Sequence, residues 1–442
     1  MQGAEWLIAK SEEQLKETFR KLDEISYFNQ VKVIKAFHKN RVALRHFSGS
    51  TGYGYGDEGR DTLNQVFADV FGAESALVSP NIVSGTHALT VGLFGLLRAG
   101  DTLFSISGNP YDTLQDVIAG KDTGSLADFG ISFEKADLKD GAFDYHAIEN
   151  GLRNPKVKVV FIQRSRGYEW RDALSQEKIS EACAFVRKCG FQGCIFVDNC
   201  YGEFVETSEP TQNGADVAVG SLIKNAGGGI APTGGYIVGR QKYVEKIAGR
   251  LTAPSIGAEV GSYSAGYQYF YQGLFLAPHT VNQALKGSFL IGACLDQIGY
   301  KTSPSLENMP YDITRAIQFP SDTKLIAFIQ SVQEASPIDS FVQLQPWDMP
   351  GYEDRVIMAA GCFVQGASIE LSADAPVKEP YIAYFQGGLT YEHCKYALRR
   401  SSKNEIVCPA ELRRVFYCII YEKTEILLVW MIRFAYSRSS DF

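Results

Sequence analysis

The most informative segment of this 442-residue chain is Ser221–Gly229, with the sequence SLIKNAGGG. Its lysine follows a short apolar stretch and stands between a hydroxyl residue and a run of three glycines. A lysine that forms a Schiff base needs a site that partly desolvates it and lowers its pKa. The segment therefore favours Lys224 as a Schiff-base lysine. A glycine-rich turn with a solvated lysine is the alternative interpretation.

An acidic residue ends the buried apolar stretch of the segment Ile195–Glu203 (IFVDNCYGE). Open α/β sheets bind ligands at the carboxyl ends of their strands, so Asp198 is expected at such an edge. Pyridoxal phosphate (PLP) needs an ionised carboxylate there, which keeps its pyridine nitrogen protonated so that the ring accepts electrons. An aspartate that caps the following turn is the alternative.

A candidate phosphate site lies in Ser79–Ala88 (SPNIVSGTHA), where small and hydroxyl residues open a helix. The free backbone N–H groups and the positive end of the helix dipole favour an anion at such a position. Ser84, Gly85 and Thr86 are the candidates, and a plain N-cap is the alternative.

A tyrosine follows the next predicted strand, in Gly108–Thr113 (GNPYDT). Tyr111 could stack on a planar heteroaromatic ring, and ordinary packing of a turn tyrosine is the alternative. The order is what makes these patterns specific: a phosphate cup, a stacking aromatic and a strand-end acid precede a lysine 26 positions after that acid (224 − 198). Together they predict a PLP site with Tyr111, Asp198 and Lys224 around the ring.

The chain reads as an α/β protein in which short apolar strands alternate with helices, the pattern of a mostly parallel sheet. Strands are predicted at 76–78, 102–106, 157–162, 194–197 and 216–219, and long helices at 256–275 and 279–298. After Pro304 and Pro310 the pattern changes to a helix at 322–335 with strands near 341–344, 356–363, 368–371 and 381–385. We therefore predict an amino-terminal helical arm and glycine-rich loop (1–60), a large domain (61–300), a small α+β domain (301–393) and a divergent tail (394–442).

Composition excludes several classes of function. A net charge of −7 argues against a nucleic-acid partner, which needs a basic face. The apolar run 426–435 is far shorter than the roughly 20 residues of a membrane span, and no signal peptide is recognisable. The nine cysteines form no CxxC pair and the six histidines form no HExxH pair, so free thiols in the cytoplasm are expected and no metal.

Several stretches resemble the methionine gamma-lyase-related "aluminium resistance protein" family, within the Cys/Met-metabolism group of fold-type-I PLP enzymes. The resemblance covers roughly residues 10–393, and its most specific parts are the lysine and aspartate blocks. The stretches are STGYGYGDEGRD (50–61), VSGTHAL (83–89), PYDTL (110–114), QRSRGYEWR (163–171), VDNCYGEFVE (197–206), GSLIKNAGGGIAPTGGYIVGR (220–240) and YFQGGLTYEH (384–393).

The resemblance implies a PLP-dependent transferase-like fold and a role for each matching residue. Lys224 would bond the cofactor and move protons, Asp198 would pair with the ring nitrogen, and Tyr111 would stack on the ring. The phosphate would be held by Gly85, Thr86 and Ser221, and the strand-end residues near the ring oxygen would be Gln163, Arg164 and Ser165.

The resemblance also implies shared active sites. Tyr55 and Arg60 would reach the cofactor of a neighbouring subunit, so the expected assembly is a homo-oligomer, a dimer of dimers. Arg166 could bind a substrate carboxylate, because its planar guanidinium matches a carboxylate. A structural salt bridge is the alternative for Arg166.

The nearest relatives suggest carbon–sulfur bond cleavage in a sulfur amino acid, by β- or γ-elimination. Lys224 would take the α-proton and Tyr111 would assist the leaving group. Another PLP reaction (aminotransfer, decarboxylation or aldol cleavage) is the first alternative. A nucleotide-binding or scaffold protein that uses Gly227–Gly229 as a phosphate loop is a second, although no GxxxxGK[ST] motif occurs there.

Overall fold

A computed structural model of the chain describes residues 2–349, 352 and 354–401. These residues build two β-sheets with helices packed on them, one sheet of seven strands and one of five. This confirms the predicted α/β fold with a mostly parallel mixed sheet. The smaller sheet forms a separate antiparallel layer.

The large sheet has the strand order β1-β7-β6-β5-β4-β2-β3, and only β7 runs antiparallel to its neighbours. Strands β5, β6 and β7 are buried along their whole length, as expected for a sheet covered by helices on both faces. The strands are β1 Ser75–Ser79, β2 Thr102–Ser105, β3 Ser132–Lys135, β4 Val157–Gln163, β5 Cys194–Asp198, β6 Val217–Ser221 and β7 Gly235–Gly239.

The helices alternate with these strands and begin at recognisable caps. Asp57, Ser84 and Ser175 each accept a hydrogen bond from a backbone N–H three residues ahead, which satisfies a donor that the helix itself leaves unpaired. The helices are α1 Gln2–Gln14, α2 Lys16–Lys39, α3 Glu58–Phe71, α4 Gly85–Leu96, α5 Asp112–Ala119, α6 Tyr145–Leu152, α7 Gln176–Lys188, α8 Gln241–Leu251, α9 Gln268–Asp296, α10 Asp322–Ala335 and α11 Tyr391–Ser401.

The five-stranded sheet is antiparallel throughout, in the order β10-β11-β12-β9-β8. Its strands are β8 Lys301–Ser303, β9 Arg315–Gln318, β10 Val356–Ala359, β11 Ser372–Pro376 and β12 Ile382–Gln386. The strand predicted near 341–344 is wrong: no strand forms there, and Phe341 is 84% exposed while Leu344 packs against the core of the small sheet. The strand predicted at 368–371 is a turn that leads into β11.

Helix α9 corrects the prediction of two helices at 256–275 and 279–298. It is one continuous helix of 29 residues with Pro278 inside it. Pro278 and its neighbours Ala277 and Val281 are buried, so tertiary packing offsets the cost of a proline inside a helix. Residues 256–267 are not α-helical, because Gly257, Gly261 and Gly266 adopt positive φ angles.

Two hydrophobic cores meet along α9. Leu274 and Phe289 belong to the core beneath α2, α3 and the large sheet, whereas Leu290 and Leu295 belong to the core of the small sheet with α10 and α11. Helix α11 continues past residue 393, where the sequence predicted a divergent tail. The rest of that tail, residues 402–442, lies outside the described residues. No helix in the described part of the chain is long and apolar enough to cross a membrane.

Gly92 tests how closely α4 approaches the sheet. A Cβ at Gly92 would lie 2.7 Å from Cζ of Phe196, a fully buried ring on β5. We expect Gly92→Ala to lower the free energy of unfolding by about 1–3 kcal/mol through overpacking. Gly249→Ala in α8 is the matched control, since its nearest neighbour would be 3.8 Å away. That control should stabilise the protein by roughly 0.5–1 kcal/mol in urea unfolding. Equal effects of the two variants would contradict this account of the α4 packing.

Candidate active site

The carboxyl ends of β4, β5 and β6 bring Gln163, Asp198 and Ser221 to one edge of the large sheet, with Gln163 opposite Asp198 in register. A cavity of about 300 Å³ opens at this edge, and the small sheet forms its other wall. The large sheet and its loops supply mainly polar lining residues: Ser84, Gly85, Thr86, Tyr111, Ser165, Asp198, Cys200, Tyr201, Ser221 and Lys224. The opposite wall includes Met358, Ser372, Asp374, Tyr384 and Gln386.

Lys224 lies over the ring of Tyr201, with its Nζ 4.1 Å from the ring centroid. Tyr201 adopts a φ of 72°, a conformation that a bulky side chain seldom takes. Its hydroxyl donates to Oγ of Ser368 at 2.9 Å, which anchors the ring from the small-sheet side. Such backbone strain is characteristic of functional sites, and here it holds an aromatic face against the lysine.

The net pKa direction of Lys224 differs from the sequence expectation. Burial lowers the pKa, as expected, but the acidic side chains around the amine raise it more, so the pKa lies above its ordinary value. Asp198 and Glu203 are the carboxylates among these neighbours. The lysine of the protein alone is thus a half-buried ammonium near the carboxylate of Asp198.

Asp198 lies buried at the end of β5. Its Oδ1 accepts a hydrogen bond from the backbone N–H of Cys200 at 3.1 Å. Burial raises the pKa of Asp198, while the positive charge of Lys224 and the Cys200 hydrogen bond lower it. A carboxylate in this place could hold a proton on a ring nitrogen within the cavity.

The start of α4 forms the other end of the cavity. Ser84 is the N-cap, because its Oγ accepts the N–H of His87 at 3.0 Å, which leaves the first turn at Gly85 and Thr86 for a ligand. A Cβ at Gly85 would lie 3.3 Å from Sγ of Cys200 and 3.5 Å from Cβ of Ser221, so the glycine keeps this space open. A phosphate group therefore fits the place where Gly85, Thr86 and Ser221 converge.

Tyr111 lines the same cavity. Its backbone N–H donates to Oε1 of Gln163 at 2.6 Å, and its hydroxyl shares a hydrogen bond with that of Tyr352 at 2.8 Å. Burial raises the pKa of Tyr111 well above its ordinary value, so the phenol is a proton donor at neutral pH. The ring of Tyr168 meets it edge-on at 5.6 Å.

Three consecutive residues at the end of β4 have different surroundings in the structure: Gln163, Arg164 and Ser165. Ser165 lines the cavity, whereas Gln163 positions Tyr111 and faces a neighbouring outer cavity of about 550 Å³. Arg164 is fully buried elsewhere: it donates to Oδ1 of Asn199 at 2.9 Å and to Oε2 of Glu206 at 2.7 Å. Arg164 therefore has a structural role, and its predicted place near the ring oxygen is wrong.

Arg166 is 1% exposed and lies on the wall of the outer cavity. Its Nη2 donates to Oγ of Ser303 at 3.2 Å and lies 3.6 Å from Asp172. Its Nε and Nη1 have no hydrogen-bond partner among the described residues. A buried guanidinium with unused donors is costly, and an anionic ligand would compensate that cost. The ion pair with Asp172 is the structural salt bridge that the sequence analysis left as the alternative for Arg166.

Tyr55 and Arg60 lie outside the cavity of their own chain. Tyr55 is 68% exposed and packs against Tyr53, with 5.5 Å between ring centroids. Arg60 is buried, donates to the carbonyl of Gly54 at 2.9 Å and pairs with Asp61 at 2.8 Å. A contribution of either residue to a cofactor site would have to come from a second subunit.

The glycine run after Lys224 packs against α9 and does not face the cavity. A Cβ at Gly228 would meet the carbonyl oxygen of Gly273 at 2.3 Å, and one at Gly227 would meet the carbonyl oxygen of Leu222 at 1.6 Å. Gly229 has a φ of 76° and lies against Leu389. The glycines therefore allow close packing of the lysine loop, and a phosphate loop does not explain them.

Sequence reasoning missed three cavity residues. Tyr201 lies in the segment Ile195–Glu203, but that segment does not predict its contact with Lys224, because the orientation of Tyr201 depends on a left-handed backbone. Tyr168 and Asp374 meet through a short hydrogen bond across 206 positions, which no local pattern reveals. The single polar residue between the two alanines of β11 is the only sequence signal for Asp374.

Glu203 is a fully buried carboxyl group near Lys224. Its Oε1 accepts a hydrogen bond from the Tyr236 hydroxyl at 2.8 Å, while Oε2 has no partner in the described part of the chain. Burial raises the pKa of Glu203 to about 8. The neighbouring carboxylate of Glu209 acts in the same direction, and Lys224 opposes both.

This pKa predicts a pH-dependent stability. An unfolded chain ionises Glu203 above its ordinary pKa of 4.5, but the folded chain keeps the proton until about pH 8. Stability should therefore fall as pH rises through that window, by up to about 1.4 kcal/mol per pH unit. Glu203→Gln should remove this loss, so the variant gains on the wild type from pH 5 to 8 in urea unfolding. A difference that stays constant over this range would contradict the pKa.

The fold is that of the fold-type-I, PLP-dependent enzymes, and the cavity places an amine, a carboxylate and an open helix start at one edge of the sheet. The PLP-dependent protein YhfS of Escherichia coli shares this fold, with a TM-score of 0.60 and 16% identity over 87% of this chain and 97% of that chain.

The chain belongs to the methionine gamma-lyase family, whose sequence model matches residues 4–406. The uncharacterized protein YnbB of Bacillus subtilis (strain 168) is 50% identical over 383 residues, 86% of this chain and 91% of that protein. A carbon-sulfur lyase involved in aluminum resistance from Clostridium novyi NT has a similar structure, with a TM-score of 0.88 and 48% identity over 91% of this chain and 96% of that chain. Among residues 2–349, 352 and 354–401 no group of three or more His, Cys, Asp or Glu residues could hold a metal ion.

Proposed function

We propose that the protein is a PLP-dependent carbon–sulfur lyase that acts on a sulfur amino acid. The observation that carries the proposal is that Lys224 and the buried Asp198 line one cavity, which also holds the open start of α4. The name of the Clostridium novyi relative supports the reaction class.

The residues present fit the cofactor. Lys224 would bind its aldehyde carbon, Asp198 its ring nitrogen, and Gly85, Thr86 and Ser221 its phosphate. When bound, the cofactor stabilises negative charge on the α-carbon of an amino acid, which makes the α-proton removable.

The chain's own residues would then move protons and hold the substrate. The Nζ of Lys224 accepts the α-proton, and the carbon–sulfur bond breaks with its electron pair on sulfur. The hydroxyl of Tyr111 supplies a proton to that sulfur, since burial keeps the phenol protonated. Arg166 binds the α-carboxylate through its unused Nε and Nη1 donors.

Other PLP reactions remain the alternative within the same site, and release of thiol and 2-oxoacid separates a lyase from them. The nucleotide-binding alternative loses its main support, because the glycine run packs against α9.

We further propose a homo-oligomer in which Tyr55 and Arg60 serve a neighbouring cofactor, with exposed Tyr53 and Tyr55 on the contact surface. The seven described cysteines are free thiols and six are buried, which supports a cytoplasmic protein.

Lys224 gives the direct test of cofactor attachment. Borohydride reduction of the yellow protein should leave a pyridoxyl group on the peptide that contains Lys224, detected by mass spectrometry. Lys224→Ala and Lys224→Arg should both abolish the adduct and the release of thiol, since neither side chain offers a primary amine. An adduct found on another lysine would refute the assignment.

Arg166 gives a test of substrate binding. Arg166→Lys keeps the charge but loses the planar fork, so KM for S-methyl-L-cysteine should rise about 10- to 100-fold. Binding of 2-(methylthio)ethylamine, which lacks the carboxylate, should change little. A fall in Tm with an unchanged ratio between the two compounds would instead indicate a structural salt bridge.

A further inference from the structure

Asp374 is a carboxylate without a role in the proposed reaction. It lies on β11, in the wall of the cavity formed by the small sheet, and is 5% exposed. Its two hydrogen-bond partners are neutral: the hydroxyl of Tyr168, at short range, and Nε2 of Gln386, at 2.9 Å. Asp198 is the other carboxylate among the residues that line this cavity.

The charge of Asp374 needs a positive counterpart. Burial raises its pKa to about 6, with Tyr168 and Lys224 acting in the opposite direction, so the group is mostly ionised at pH 7.5. A buried carboxylate is costly unless a cation or several donors compensate it. Lys224 is the cation that the structure provides nearby, and the proposed reaction needs that amine uncharged so that it can accept a proton.

The space beside Asp374 suits a long substrate. The inner cavity meets the outer cavity of about 550 Å³ at shared lining residues, Tyr111, Gly167, Tyr168 and Tyr352. A sulfur substituent longer than a methyl group could extend from the proton donor Tyr111 toward Asp374 and this outer space.

We propose that Asp374 determines substrate specificity by binding an ammonium group on the sulfur-bearing leaving portion of the substrate. This inference rests on the proposed lyase function and adds the substrate class: thioether amino acids with a cationic leaving portion. Tyr168 and Gln386 orient the carboxylate, and the substrate ammonium replaces the missing positive charge.

A matched pair of amino acids tests the proposal on the cofactor-loaded protein. S-(2-aminoethyl)-L-cysteine and S-propyl-L-cysteine have nearly the same shape, and the first carries a terminal ammonium where the second has a methyl group. Dissociation constants come from the change in cofactor absorbance on titration, and turnover comes from thiol release. Binding is thus measured independently of the reaction.

We expect the wild type to bind the aminoethyl compound about 10-fold or more tightly than the propyl compound. Asp374→Asn should abolish that preference while cofactor absorbance is retained. Tyr168→Phe removes the hydrogen bond but keeps the charge, so the preference should persist. Asp322→Asn, at the exposed start of α10, is the charge-matched control and should leave the preference unchanged.

The same ratio of dissociation constants in wild type and Asp374→Asn would overturn the proposal. Loss of the preference in Tyr168→Phe as well as in Asp374→Asn would also overturn it, because Asp374 would then act only by holding Tyr168. Binding of both compounds without thiol release would contradict the lyase function, while the binding ratio would still decide the role of Asp374.

Discussion

The placement of one ammonium and one carboxylate in the same cavity is the constraint on which the rest of the structure depends. Asp198 is buried and Lys224 is half-buried near it, and each charge offsets part of the cost of burying the other. Parallel strands place such groups together because their carboxyl ends share one sheet edge. The strained Tyr201 and the short loop before Lys224 complete the arrangement by fixing the amine over an aromatic face.

Much of the large sheet could be predicted because its strands are short, apolar and β-branched, a local property. Strand β3 was missed because it is mostly exposed and polar, and β7 because its glycines resemble a continued loop. The small sheet was predicted less well. Its strands depend on partners far away in sequence. The stretch Phe341–Leu344 stays outside the sheet, with Phe341 and Val342 exposed and Leu344 packed against the core of the small sheet.

The candidate site also combines residues that local sequence patterns predict with residues that they do not predict. One cavity is lined by Gly85, Asp198, Ser221 and Lys224. Their positions at the end of a predicted strand or the start of a predicted helix indicated this edge of the sheet. The wall that carries Asp374 could not be predicted, since it comes from a second sheet that meets the first only in the folded chain. Arg164 shows the limit of motif reasoning: neighbours in sequence diverge in space when one side chain turns into the core.

Helix α9 has a mechanical consequence. It crosses both hydrophobic cores over a length of about 44 Å, and its Gly273 carbonyl lies against the lysine loop. Because α9 is packed into both hydrophobic cores, it couples the large sheet to the small sheet. Because α9 contacts both the small sheet and the lysine loop, a shift of the small sheet along α9 would change the distance between Asp374 and the reactive amine.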